Sequence, residues 1–280
     1  MHPDLSAELW PATSRRRDLG ACLQDFGRDW PALLDSPAWQ IATQLSAELE
    51  SRGEAAAALG SEPAFHNREH ICDVLTALRL LMQHAPELSL SDKSALLIAM
   101  IAHDFDHPGR PNTSRRELEA RAWHDIAPVL TPLPVQQRSS IRHLILSTDP
   151  AEYPRLQRQL ASSSARIART QIAIAADLMA SILPLRGFYL GHRLAQELIT
   201  AGHQAAKKIG TLEGRAAFLS RCPPLGKAAD ALGLNQLIKA QLQLISSLSI
   251  PDRARPWSPD WGETFAAEVE KLGSDQMRRN

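Results

Sequence analysis

The chain has 280 residues, a length that fits one large domain or two small ones and excludes a small disulfide-stabilised scaffold. Apolar residues make up 44% and charged residues 22%, which excludes a disordered or fibrous protein. Lys plus Arg and Asp plus Glu both total 31, so the formal charge is zero. The molecule as a whole therefore does not attract nucleic acid or an anionic membrane, and an anionic ligand must be attracted locally.

The spacing of apolar residues predicts an all-α fold. Apolar residues recur every three or four positions, whereas aromatic residues make up only 5% and β-branched runs are scarce. Ser91 and Ser114 are predicted to cap the helices that follow them. The predicted helices run over about 38–59, 65–84, 92–104, 114–127, 135–147, 165–179, 185–209 and 225–248.

Cysteine usage and apolar runs predict a cytoplasmic protein. Cys22, Cys72 and Cys222 are odd in number and form no CxxC pair, which favours a reducing compartment over disulfides or thiolate zinc sites. The N-terminus lacks an apolar core of signal-peptide length, and the strongest apolar run, ALLIAMIA at 95–102, is far shorter than the ~20 residues of a membrane span. We expect no membrane or nucleic-acid partner, and the sequence predicts no oligomeric state.

The first chemical motif, AFHNREHICDV, lies in the predicted helix 65–84. His66 and His70 are four residues apart, so on a helix they share one face and both imidazoles can enter one pocket. A partly exposed helix surface is the alternative interpretation of such a pair.

The second motif, ALLIAMIAHDFDHPGRPN, follows on the next predicted helix. A run that must be buried ends in His103, Asp104, Asp106 and His107, and burying ionisable groups is costly unless they are paired or ligate a metal. The Asp104 carboxylate has two oxygens and can bridge two cations, a borderline metal beside a harder one. A capped helix end with solvated charges is the alternative.

A third candidate is Asp177, an acid in the middle of the apolar segment TQIAIAADLMA. A lone buried aspartate is costly unless something neutralises it, although a hydrogen-bonded aspartate is the alternative. Helical bundles commonly build metal sites from side chains on several helices. Two nitrogen and two oxygen ligands from three helices are therefore predicted, namely His70, His103, Asp104 and Asp177.

These motifs resemble those of the HD-domain class I cyclic nucleotide phosphodiesterases, of which the chain looks like a divergent bacterial member. H-N-x-x-H-x-x-D-V at 66–74 is followed by H-D-x-D-H-P-G at 103–109 and by A-D-L at 176–178. LILSTD at 144–149 and HRLAQE at 192–197 agree more weakly, so the resemblance covers about 64–198. It implies a multi-helix bundle around a dinuclear metal site.

The resemblance also implies domain organisation. Residues 1–62 are expected to form an N-terminal helical segment packed on the core, and 63–250 an HD/phosphodiesterase-like catalytic domain. Residues 251–280 begin with the proline- and charge-rich PDRARPWSPDWGE and are expected to form a peripheral helix or tail.

Residue roles follow from the resemblance as well. The four predicted ligands hold the first, tighter metal, and Asp104 bridges to a second metal whose other ligands are mostly water. His66 is not a ligand but protonates the leaving oxygen, and His107 lines the second-metal side through its water shell. Leu118-Glu119 resembles the family's Leu-Glu pair, which implies that Glu119 contacts the bridging water.

Elementary chemistry favours the same roles. Two divalent cations, whether Zn, Mn, Mg or Fe, neutralise a phosphodiester and lower the pKa of a shared water, which gives a bridging hydroxide as nucleophile. A histidine beside a carboxylate can hold the proton that the leaving alkoxide needs. His66 fits that task, and Asp73 or another acid is expected to orient it.

One departure from the family concerns the substrate. The eukaryotic enzymes clamp the purine with a Gln several residues before a Phe, and that pair is not recognisable here; Phe218 lies too far upstream of the glutamines at 236, 241 and 243. Gln236 is the candidate substrate-binding residue, with an exposed helical glutamine as the alternative.

The predicted function is that of a signal-transduction enzyme. We expect a phosphodiesterase-like hydrolase that converts a small-molecule phosphodiester, above all a 3′,5′-cyclic nucleotide, into the 5′-monophosphate. Another HD-domain enzyme, either a nucleotide phosphohydrolase or a diiron oxygenase, is the first alternative. A catalytically silent nucleotide-binding regulator is the second.

Overall fold

The computed structural model describes residues 2, 5, 10, 18–159, 164–254, 256 and 258–279. Its α-helices, numbered in chain order, are α1 Leu19–Asp29, α2 Pro37–Ala58, α3 Arg68–Gln83, α4 Leu90–Ala102, α5 Glu117–Ile126, α6 Val135–Leu146, α7 Tyr153–Gln159, α8 Ala165–Ile182, α9 Pro184–Thr200, α10 Leu212–Arg221, α11 Lys227–Ala231, α12 Leu234–Ser247, α13 Ile250–Ala254 and α14 Pro259–Arg279. Short 3₁₀ turns span Pro31–Leu33, Pro150–Glu152 and Gln204–Lys208. Across the described ranges, the extended pairing is limited to one isolated bridge between Thr211 and Pro256. The predicted all-α class is confirmed.

Three helices form the centre of the core. The segment from Ser94 to Ala102 of α4 is buried on every side, as expected for a helix that is apolar all round. α3 packs along both α4 and α8, and most of its residues are buried as well. The polar side chains that these three helices carry are therefore forced into the same interior.

A sharp bend between α8 and α9 is fixed by a buried arginine. The two helices meet at 92°, with Leu183 between them and Pro184 opening α9. Arg215 donates hydrogen bonds to the carbonyl oxygens of Ser181, Ile182 and Leu183, groups that a helix C-terminus leaves without intrahelical partners. Burial lowers the pKa of Arg215 to about 9. This anchor holds the end of the helix that carries Asp177.

Several predicted helix limits are wrong, and each has a local cause. The predicted helix 185–209 ends at Thr200, and Gly202 adopts a φ of +85° shortly after it. The predicted helix 225–248 is two helices, because Gly233 at φ +78° interrupts it. Apolar periodicity continues through both glycines, so it gives no sign of either break.

Helix starts and short helices also differ from the prediction. Ser89 rather than Ser91 caps α4, through a capping box with Asp92. Arg116 rather than Ser114 precedes α5, in a left-handed conformation at φ +60°. Helices α1, α7, α10 and α13 were not predicted; each is 11 residues or shorter, a length at which apolar periodicity is a weak signal.

The terminal regions both contact the core. α1 packs against α3, α2 packs against α4, and α14 packs against α9 and α12 with Phe265 and Val269 buried. The domain limits at 62/63 and 250/251 stay predictions. In the described part of the chain no single helix has the length and apolarity to cross a membrane; α8 with α9 passes that test only as a bent pair.

Candidate metal centre

The four predicted ligands meet inside the bundle. His70 Nε2 lies 3.3 Å from Asp104 Oδ2 and 3.2 Å from Asp177 Oδ1. His103 Nε2 lies 3.2 Å from Asp104 Oδ2 and 3.4 Å from Asp177 Oδ1. Both imidazoles are 2% exposed, whereas the side chains of Asp104 and Asp177 are 15% and 16% exposed, so the cluster is open to solvent only on its carboxylate side.

The geometry fits a metal ion better than a set of mutual hydrogen bonds. Ligands that bind one cation at about 2.1 Å lie about 3.0–3.5 Å from one another, in either tetrahedral or octahedral arrangement. Within the described residues, the Nε2 atoms of His70 and His103 are buried and make no hydrogen bond of acceptable geometry. The His103 Nδ1–H donates to the carbonyl of Met100 at 3.0 Å, which leaves the Nε2 lone pair directed at the cluster.

The charges of the cluster demand a cation. Burial by itself lowers the pKa of both histidines, but Asp104 and Asp177 outweigh it and raise the pKa of His70 to about 9 and that of His103 well above its usual value. Burial raises the carboxylate pKa values, yet the histidines lower that of Asp177 to about 2 and that of Asp104 well below its usual range. The charges of the two carboxylates are thus balanced either by protons on the two histidines or by one divalent cation.

The HNREH segment places two histidines by means of a helix cap. Asn67 is the N-cap of α3, its Oδ1 accepts a hydrogen bond from the His70 backbone N–H, and its amide donates to the carbonyls of Pro63 and Ala64. α3 therefore begins at Arg68, and His66 lies before the helix. The prediction that His66 and His70 share a helix face is wrong, although their ring centroids are 6.1 Å apart.

Glu197, not Asp73, orients His66. His66 Nδ1 donates to Glu197 Oε1 at 2.5 Å, and Glu197 Oε2 accepts the backbone N–H groups of Phe65 at 2.7 Å and His66 at 3.0 Å. Burial raises the pKa of this carboxyl, but the contact with His66 and the backbone donors lower it overall. Glu197 belongs to the HRLAQE segment, which is the sequence signal that could have identified it.

Asp73 has a different partner. The buried guanidinium of Arg186 donates to Asp73 Oδ2 at 3.0 and 2.7 Å and also contacts Glu69. Arg186 lies in the first turn of α9 and Asp73 lies on α3, so this ion pair connects the helix that carries His70 to the helix that carries Glu197.

His107 lies on the outer side of the cluster. Its ring stacks on His66 with centroids 3.8 Å apart, and its Nδ1 accepts the backbone N–H of Gly109 at 3.2 Å. That bond leaves the proton of a neutral ring on Nε2. Burial is the largest cause, and the neighbouring His66 the second, that lowers the pKa of His107 to about 4. His66, Asp104 and His107 form a second group that could hold a metal ion, beside the group of His70, His103 and Asp104.

Glu119 is buried on α5, with its carboxylate held by the Asn112 amide at 3.0 and 3.2 Å. Burial raises the pKa of Glu119 to about 7, with smaller contributions from the charges of Asp149 and Asp104. Asp149 is buried too and accepts the backbone N–H groups of Arg116 and Ala151. It thereby fixes the start of the helix that presents Glu119.

Gln236 is not part of this arrangement in any contact that the structure describes. It lies on the exposed face of α12. The buried glutamine of that helix is Gln241, which donates to the carbonyl of Ile182 and accepts from Arg215. A substrate role for Gln236 stays a prediction.

Comparison with known proteins supports the motif assignment. Residues 65–122 match the family profile of the 3′5′-cyclic nucleotide phosphodiesterases. The predicted family resemblance is confirmed. The predicted enzyme class, a phosphodiesterase-like hydrolase, is supported by the same match. The matched segment contains His66, His70, His103, Asp104, His107 and Glu119, whereas Asp177 and Glu197 lie outside it.

Solved structures show only a distant likeness. Yeast caPDE2, solved alone and in complex with IBMX, is 15% and 16% identical with a TM-score of 0.44, over 78% of this chain. The chain spans 56% of the length of that protein. LmjPDEB1 in complex with IBMX is 12% identical with a TM-score of 0.44, over 99% of this chain and 92% of its own. No curated protein matches the sequence.

Proposed function

We propose that this protein is a metal-dependent phosphohydrolase that converts a 3′,5′-cyclic nucleotide into the 5′-nucleoside monophosphate. The cluster of two buried imidazoles and two partly exposed carboxylates at 3.2–3.4 Å carries the proposal. The family match over 65–122 supports the substrate class.

The first cation would be held by His70, His103, Asp104 and Asp177. Two nitrogen and two oxygen donors suit Zn, Fe or Mn. Asp104 also belongs to the group with His66 and His107, and its second oxygen would reach a harder cation, such as Mg or Mn, that keeps most of its waters. When bound, the two cations would neutralise the phosphodiester and lower the pKa of a shared water, which supplies a hydroxide nucleophile.

His66 would act as the general acid. Glu197 accepts its Nδ1–H, so the ring orientation is fixed and Nε2 is the nitrogen that gives a proton to the departing ribose oxygen. The ionised Glu197 stabilises the charged imidazole before transfer. His66 is not proposed as a ligand, since both cations have other donors.

Glu119 and His107 would arrange the water. A carboxyl with a pKa of about 7 can accept a proton from the attacking water near neutral pH. The Nε2–H of His107 would donate to the water shell of the second cation.

The test is hydrolysis of cyclic AMP and cyclic GMP by the purified protein with Mn²⁺ or Mg²⁺. We expect turnover that disappears in Asp104→Asn, because an amide cannot bridge two cations as a carboxylate does. Saturable nucleotide binding without turnover would contradict the proposal and favour a silent regulator. Bound iron with oxygen consumption and no ester cleavage would contradict it in favour of an oxygenase.

A further inference from the structure

A second polar cavity lies between α6, α7 and the first half of α8. Its volume is about 410 Å³, and its described lining includes none of the residues assigned above to the metal centre. Its lining on α8 extends to Thr170 and Ile174, which precede Asp177 by two helical turns and by about one turn. The cavity and the candidate metal centre therefore lie next to each other along α8, with no described lining residue in common.

The charge of its lining is strongly positive. Among the described lining residues, Glu152 is the one acid. Four arginines line the cavity, namely Arg116, Arg142, Arg155 and Arg166. Arg115 and Arg116 both bind Glu152, so that carboxylate is already neutralised. Among the described residues, Arg142 and Arg166 form no ion pair with a carboxylate. In a chain with a formal charge of zero, this is a local attraction for an anion.

His143 holds one of these arginines in position. Its Nε2–H donates to the buried Thr170 hydroxyl at 3.0 Å, and its Nδ1 accepts from Arg166 at 3.0 Å. Burial, followed by the charges of Arg166 and Arg116, lowers the pKa of His143 to about 4, so the ring is neutral and can accept that bond. The guanidinium is therefore positioned by a neutral acceptor that does not cancel its charge.

Two further features define the ligand. The first turn of α8, from Ser164 to Ile167, borders the cavity, and a helix N-terminus favours negative charge. Leu146, Leu156, Ile167 and Ile174 supply an apolar portion of the lining. Guanidinium groups recognise phosphate oxygens through paired hydrogen bonds, and the apolar portion would accommodate a carbon skeleton.

We propose that this cavity binds a small phosphate ester, with the phosphate on Arg142 and Arg166 and the carbon portion on the apolar lining. A phosphate monoester carries close to two negative charges at neutral pH, which matches two guanidinium groups without carboxylate partners. The volume suits a ligand of nucleotide size. The assignment does not depend on the proposed hydrolysis.

The test is calorimetric titration of 5′-AMP, inorganic phosphate and adenosine into the full chain after metal removal by a chelator. We expect one saturable site for 5′-AMP, weaker binding of inorganic phosphate and none of adenosine. Arg142→Gln with Arg166→Gln should weaken 5′-AMP binding at least tenfold, because charge-assisted hydrogen bonds are lost. Arg158→Gln is the matched control, since this arginine lies on α7 outside the cavity lining and should leave affinity unchanged.

The location is checked with Asp104→Asn, which should keep the 5′-AMP affinity of the wild-type chain. Loss of binding in Asp104→Asn, no saturable binding of 5′-AMP, or equal affinity in the double arginine variant would overturn the proposal. If the double variant melts at a lower temperature than the wild type, the exposed single change Arg142→Gln decides instead, with about threefold or greater weakening expected. Hydrolysis by the metal-loaded arginine variants should stay at the wild-type level.

Discussion

The candidate metal centre and the arginine-lined cavity are both polar sites inside one helical bundle, yet they are built differently. The candidate metal centre places two partly exposed carboxylates beside two buried imidazoles, and the negative charge of the carboxylates favours protons or a cation. The cavity is lined by arginines whose positive charges are only partly balanced by the Glu152 carboxylate, and it therefore favours an anion. The formal charge of zero for the whole chain therefore gives no sign of either group of charged side chains.

The largest expected effect is the pH dependence of metal affinity at the candidate metal centre. Because the pKa of His70 is raised to about 9 and that of His103 is raised too, a metal must displace their protons at neutral pH. Asp177, with a pKa of about 2, and Asp104 stay ionised between pH 6 and 8, so they do not contribute to the pH dependence of metal affinity in that range. We expect metal affinity to fall by about 10- to 100-fold per pH unit as pH drops from 8 to 6. Competition titration with a chromophoric chelator measures it, and a flat profile would contradict the charge analysis.

The next effect concerns the Asp73–Arg186 pair, which connects α3, the helix that carries His70, to α9, the helix that carries Glu197. Arg186→Met leaves Asp73 buried without its partner, and we expect a loss of about 3–5 kcal/mol in the free energy of unfolding. Urea denaturation followed by circular dichroism gives the value. The double variant Asp73→Leu with Arg186→Met should recover most of the lost free energy of unfolding, since it no longer has an unpaired buried carboxylate. No recovery in the double variant would contradict the ion-pair explanation.

Removal of the proposed acid separates chemistry from metal binding. His66→Asn should lower kcat by about 10²-fold or more while metal content, measured by elemental analysis, stays at the wild-type level. Loss of metal in this variant would make His66 a ligand.

The smallest effect is expected at the residue that orients His66. Glu197→Gln keeps the shape but replaces the carboxylate that accepts the Nδ1–H, so we expect kcat to fall about 10-fold, less than in His66→Asn. The combined variant should be no slower than His66→Asn alone, because Glu197 acts through that histidine. Additive losses would show that Glu197 has an independent role.

The sequence predicted that His70, His103, Asp104 and Asp177 lie together, because they stand in or beside strongly apolar helices; that they bind a metal stays a prediction. His103 and Asp104 end a run that had to be buried, and Asp177 interrupts another, so the cost of burial revealed them. The resemblance supplied Glu119 and His107, which no periodicity would have shown.

Contacts between distant segments were beyond sequence reasoning. Glu197 reaches His66 over 131 positions and Arg186 reaches Asp73 over 113, and nothing in either local pattern says which acid belongs to which partner. The arginine cavity was not predictable for the same reason: its lining residues come from separate helices and follow no regular spacing in the sequence. Glycine breaks after α9 and before α12 were missed because apolar periodicity runs through them.

The central claim is that one carboxylate joins two cations in a catalytic centre. The most direct measurement is metal stoichiometry, together with cyclic nucleotide turnover, in Asp104→Asn and in its matched control Asp106→Asn. Asp106 is exposed, two residues away, and pairs with Arg121 rather than with the cluster. We predict that Asp106→Asn keeps both metals and turnover, while Asp104→Asn loses the second metal and all measurable turnover. Full turnover in Asp104→Asn would contradict the claim.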